Sequence, residues 1–182
     1  MLYRDLSSSS WFQDVEAKTL SWYSTSQPVV VSNNLLNELE SKSSEFGVNS
    51  RVCLHKKSTS TLHEMLICQR ADMAHPPKKH WDRDKTFLVL RGELLVATFS
   101  EFGEILDYWI LGSSLDHFCI RIPAGLYHCD FSITNTAIHL ETTLGPFSRE
   151  SDREYLWAGE SNQNQIWENM RDLLLLKAKE YL

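Results

Sequence analysis

The residues with the greatest chemical potential lie in two short stretches. The first runs Lys78-Lys79-His80-Trp81-Asp82-Arg83-Asp84-Lys85 and leads into the apolar run Phe87 to Leu90, closed by Arg91-Gly92. The second is Ile122-Pro123-Ala124-Gly125-Leu126-Tyr127-His128, a strand end, a tight Pro-x-Gly turn and a histidine. An imidazole titrates near working pH, so His80 and His128 are the candidate bases for proton transfer. Tyr127 is the nearest phenol, although neighbours on a strand face opposite ways. Lys78, Lys85 and Arg91, with the two histidines, predict a locally basic pocket suited to phosphate, carboxylate or sulfate groups. Solvent exposure of the two lysines at the end of a charged run is the plainer expectation. Further along, His139 and Glu141 share one strand face, where they would line a cavity if it points inward, and Glu141 could pair with a lysine.

The elements that must position these groups are mostly strands. Alternation or apolar runs predict strands over 51–55, 62–69, 86–99 (hinged at Arg91-Gly92-Glu93), 105–111, 118–122 and 137–143. Many short strands without intervening helices predict an antiparallel sandwich or barrel. Before them, Val29 to Val31 reads as a short strand, and Ser32 caps a helix over 33–46 that Gly47 ends. The Ser-rich segment from residue 1 to about 28 reads as a linker whose aromatics Trp11, Phe12, Trp22 and Tyr23 dock locally. The tail from Asn162 to Leu182 reads as a helix. Its run Leu173 to Leu176 is wider than one core stripe needs, so it offers either packing on the barrel or contact between two copies.

The chain has 182 residues and a formal net charge of -6, enough for one domain and the wrong sign for a nucleic-acid partner. Cys53, Cys68, Cys119 and Cys129 form no CxxC pair and read as reduced thiols. Charged residues Arg4, Asp5, Asp14, Glu16 and Lys18 interrupt any apolar N-terminal run. No signal peptide, no membrane span and a cytoplasmic location are therefore expected.

The two stretches resemble the motifs of the cupins. The first cupin motif, His-x-His, three or four residues, Glu, six residues, Gly, is met here by Lys78, His80, Lys85 and Gly92. The second, Pro-x-Gly-x-x-His, is met by Pro123, Gly125 and His128, with Ser132 where Asn often follows. The sequence is similar to the WbuC-type branch found with bacterial O-antigen and surface-polysaccharide genes. The matching stretches are 51–55, 63–65, 87–93, 122–128 and 139–147, within roughly residues 32 to 158. The resemblance implies a mainly β fold, a single cupin double-stranded β-helix or jelly-roll barrel over 51–158. An N-terminal helical arm over 1–50 and a C-terminal helix over 159–182 would flank it.

The resemblance also implies a divalent Zn, Fe, Mn or Ni ion held by three imidazoles and a carboxylate. Lys78 and Lys85 stand in two of those four places, and an ammonium carries a proton where a metal needs a lone pair. A rebuilt metal site would draw on His75, His80, His128 and Glu141. Three functions follow as expectations. The first is a metal-free binder of a small anionic or sugar ligand, serving surface-polysaccharide or nucleotide-sugar metabolism. The second is a metal-independent sugar isomerase or epimerase with a His base. The third is a metal-dependent cupin enzyme. The expected partners are a small molecule and a second copy in a homodimer, with no nucleic acid and no membrane.

Overall fold

The computed structural model describes residues 6–17, 19–146 and 153–181. Its elements are β1 (Trp11–Asp14), β2 (Leu20–Ser24), α1 (Asn33–Phe46), β3 (Ser50–Cys53), β4 (Leu62–Arg70), β5 (Lys78–Lys79), β6 (Lys85–Arg91), β7 (Glu93–Phe99), β8 (Ile105–Gly112), β9 (Cys119–Ile122), β10 (Tyr127–Ser132), β11 (Thr136–Leu144), β12 (Glu154–Tyr155) and α2 (Gln163–Tyr181). They form a seven-stranded sheet, β1-β2-β3-β4-β11-β6-β9, and a five-stranded sheet, β12-β5-β10-β7-β8. Within these lie the quartets β4-β11-β6-β9 and β5-β10-β7-β8, and from β4 to β11 successive strands switch sheets except at the β7–β8 hairpin. That interleaving is the jelly roll. The chain is therefore a mainly β, single jelly-roll barrel with a C-terminal helix, the fold its cupin-like motifs imply.

Period-two alternation assigns the faces. On β7, Leu95, Ala97 and Phe99 point outward, where they join Tyr127, Cys129 and Phe131 of β10 beneath Trp167, Leu174 and Ala178 of α2. Leu94 and Val96 point inward and meet Phe87, Val89, Leu111, Ile122 and Ala137 in the barrel core. On the opposite outer face, Leu35, Leu36 and Leu39 of α1 cover Val52, Leu66, Cys68 and Ile138. Helix α2 thus packs on the barrel, while Leu173 and Leu176 stay exposed.

Helix α1 starts and stops where its caps dictate. The Ser32 hydroxyl accepts from Leu35 N at 3.3 Å, and Gly47 adopts φ 64°. Ser32→Ala is expected to cost about 1 kcal/mol in chemical denaturation, the usual loss for an N-cap oxygen. Gly92 turns β6 into β7 at φ 69°, where an added Cβ would meet Thr134 Oγ1 at 2.8 Å.

Three sequence expectations change here. Val29 to Val31 forms no strand, and Val30 and Val31 are exposed with no neighbouring strand to pair. The segment before them is more than a linker: β1 and β2 form a hairpin, and β2 pairs in parallel with β3. The Pro-x-Gly turn also leads directly into β10, which the strand pattern missed. The end of the expected tail helix at Leu182 lies outside the described residues. No helix among the described residues is long and apolar enough to cross a membrane.

Candidate functional site

The two motif stretches meet at one end of the barrel. Lys78 of β5 pairs with His128 of β10, which pairs in turn with Thr98 of β7. Across the barrel, Lys85 of β6 lies between Thr143 of β11 and Ile122 of β9. The stretches are also tied through their backbones: Gly125 N donates to the His80 carbonyl at 2.7 Å. Asp84 takes Ala124 N at 2.8 Å and pairs with Arg121, so it orients the Pro123–Gly125 turn. The His80 and His128 rings lie 6.0 Å apart.

The pocket carries both signs of charge. Lys85 Nζ donates to Glu141 Oε1 at 2.9 Å, and both side chains are buried. Lys78 Nζ stands 4.0 Å from Asp130 Oδ1, at the limit of an ion pair. Burial alone would raise the carboxyl of Glu141, but the ammonium groups of Lys85 and then Lys78 overcome it and hold it near about 2. Burial likewise opposes Asp130, and Lys78, His139 and Lys85 bring it down to about 2. Solvent exposure of the two lysines is thus not observed. The expected basic pocket is corrected too: two ammonium groups face two carboxylates, and the sum is zero.

His128 has a defined tautomer. Its Nδ1 lies 2.9 Å from the Leu126 carbonyl, which can only accept, so Nδ1 carries the proton and Nε2 presents a lone pair. Burial, reinforced by Lys85, lowers its pKa to about 4, so the ring is neutral at pH 7. Nε2 is buried with no hydrogen-bond partner among the described residues, and the same holds for both ring nitrogens of His139. Burial lowers the His139 pKa as well. Phe87 packs between them, 6.3 Å from the His128 ring and 5.4 Å from the His139 ring.

Two predicted site residues lie elsewhere. Arg91 donates to Asn37 Oδ1 at 2.9 Å and Glu40 Oε2 at 3.0 Å, on α1 outside the barrel. Strand parity from Lys85, Phe87 and Val89 points Arg91 inward, but a bulge opposite Ile138 and His139 takes up one extra residue and turns it out. Tyr127 faces α2, where its ring lies 4.4 Å from Lys79 Nζ and its hydroxyl bonds Glu154. The His128–Tyr127 acid–base pair is therefore not assembled. Asp130, absent from the expected set, sits two residues after His128 on the same inward face, and parity alone could have found it.

A divalent ion does not fit the residues present. His128 Nε2 is a suitable donor, and a carbonyl-held Nδ1–H is the common support for such a ligand. The adjoining places, however, hold ammonium groups, and Glu141 already serves Lys85. His75 stays exposed. Among the described residues, no group of three or more His, Cys, Asp or Glu comes together as a ligand set.

A cleft beside this cluster has a volume of about 370 Å³ and opens between β8 and β9, the strands where the two sheets part. No protein-family model and no curated protein matches the chain. Solved structures do. The capsular polysaccharide assembling protein CapF from Staphylococcus aureus is similar at 14% identity and TM-score 0.48, over 56% of this chain and 28% of that one. A Shewanella oneidensis protein is similar at 13% identity and TM-score 0.48, over 65% and 75% of the two chains. A cupin superfamily protein from Desulfitobacterium hafniense gives 14% identity and TM-score 0.40, over 53% and 76%. The chain thus spans under a third of the length of CapF. The strand order, read from this chain alone, gives the conclusion: the site lies at one end of a single jelly-roll barrel.

Proposed function

We propose that the protein binds a neutral, hydroxyl-bearing small molecule, a sugar or sugar-like unit, at the end of the barrel bounded by Lys78, Lys85, His128, Asp130 and Glu141, without a resident metal. The observation that carries this reading is the buried lone pair of His128 Nε2 between two lysine–carboxylate pairs. A hydroxyl group can donate to that lone pair or to a carboxylate and accept from an ammonium. A neutral ligand leaves the charge balance intact, whereas a free anion would bring an unmatched charge or break a pair. This narrows the anionic-or-sugar alternative to its second half. An accessory place in sugar or surface-polysaccharide metabolism suits such a binder.

Proton transfer is the weaker reading. An imidazole whose pKa is lowered to about 4 is a poor base at neutral pH, and Tyr127 faces away from it.

The test is thermal unfolding with a panel of methyl hexosides, phosphate and acetate. At about one hundred times Kd, a bound glycoside adds roughly 2.7 kcal/mol of stability. The expected result is a dose-dependent rise in Tm with at least one glycoside, absent in His128→Ala, and no rise with the anions. Stabilisation by the anions and by no glycoside would overturn the proposal. Stoichiometric metal in tag-free protein, lost in His128→Ala, would overturn its metal-free part.

A further inference from the structure

The cleft between β8 and β9 lies beside the polar cluster. Its lining includes Thr98 and Ile122. Thr98 is the register partner of His128, and Ile122 the partner of Lys85. Directly paired residues place their side chains side by side on the same face, about 5 Å apart at Cβ. The inner end of the cleft therefore borders the polar groups. Its walls are mostly apolar, with Trp109, Leu111, Ile120 and Leu126, and His117 and Arg121 also line it. Trp109 is half-buried and offers a flat indole to the space. The volume of about 370 Å³ falls within the roughly 300–1,000 Å³ of small-molecule pockets, which combine apolar walls with a few polar groups that fix orientation.

We infer that the cleft binds a planar apolar substituent carried by the sugar-like ligand, so that the full ligand is an aryl-type glycoside. Its hydroxyl-bearing unit lies at His128, and its ring lies along Trp109 between Leu111 and Ile120. This inference rests on the sugar reading of the polar cluster and extends it to the rest of the ligand. The geometry supports that division. The polar end holds compensated charges and a buried lone pair, and the cleft offers mainly apolar side chains. The cleft opens where no strand bonds β8 to β9, so the substituent enters without displacing a ladder hydrogen bond.

Cys119 supplies a direct readout. It lines this cleft, it is exposed, and the other three cysteines are buried. The experiment compares methyl and phenyl glycosides of the same hexoses on the intact chain. Two quantities are followed: the rise in Tm, and the rate at which a maleimide labels Cys119. The expected result is a larger rise in Tm with the phenyl glycoside. Labelling should slow roughly tenfold at about ten times Kd, because only the unoccupied fraction reacts. The methyl glycoside should leave labelling nearly unchanged. Ile120→Trp, which fills the cleft from a half-buried position, should remove the phenyl advantage while keeping the methyl response. Equal shifts for both glycosides with unprotected Cys119 would overturn the cleft assignment and leave the sugar reading standing. No shift with any glycoside would overturn both.

Discussion

Glu141→Ala is expected to destabilise the protein by about 3–5 kcal/mol, because it leaves the Lys85 ammonium buried and unmatched. The pair is short, at 2.9 Å, and both side chains are at most about a tenth exposed. What the variant loses is chiefly the compensation of a charge that cannot return to water, more than the attraction itself. The control is Lys85→Met with Glu141→Leu. Replacing a whole buried pair by apolar groups of similar size is often neutral or stabilising by about 1–4 kcal/mol. Chemical denaturation should therefore show a steep loss in the single variant and recovery in the double. An equal loss in both would show that the site depends on packing rather than on matched charge.

The second large effect is acid sensitivity through His128. Burial, reinforced by the Lys85 ammonium, lowers its ring from the ordinary 6.5 to about 4 in the folded chain. Between those values the unfolded chain holds the extra proton, so stability falls as pH drops from about 6.5 towards 4. At about 1.36 kcal/mol for each pH unit between those values, this corresponds to roughly 3 kcal/mol lost by pH 4. Glu141 and Asp130 act lower on the scale. Their carboxyls are held near 2, so their contribution is full above their unfolded values and is lost progressively as pH falls from there towards 2. His128→Asn removes the titrating ring. Urea midpoints between pH 7 and pH 4 should then fall less than in the parent protein. An unchanged slope would assign the acid sensitivity to other groups, of which the half-buried His55, also lowered to about 4, is the first to examine.

The sequence revealed more of the frame than of the charge balance. Gly92 and Gly125 marked turns at positive φ, Ser32 and Gly47 bracketed α1 to the residue, and period-two alternation located most barrel strands. Parity put His139 and Glu141 on one face, and their burial in the structure shows that this face points inward. Arg91 escaped it because a bulge is a local change of register with no residue signature in the strand itself. Asp130 was overlooked for the opposite reason. Parity would have placed it correctly, but β10 had not been recognised as a strand. That omission turned a compensated interior into an apparently basic one. The pairing of Lys78 with Asp130 joins residues 52 positions apart, which local pattern does not reveal.

The parallel pairing of β2 with β3 gives the N-terminal segment a protective role. Parallel neighbours need a crossover, and α1 supplies it, so β2–α1–β3 is a β-α-β unit attached to an otherwise antiparallel barrel. Without that attachment, β3 would present a row of open backbone groups flanked by buried Val52 and Cys53, a template for pairing with other chains. The segment fills that row with a strand of its own and moves the open rim out to β1. β1 is four residues long, with a polar Gln13 and Asp14. A short, partly charged rim is a poor template for further growth. The Ser-rich stretch therefore covers the open edge of β3 and leaves a short rim in its place.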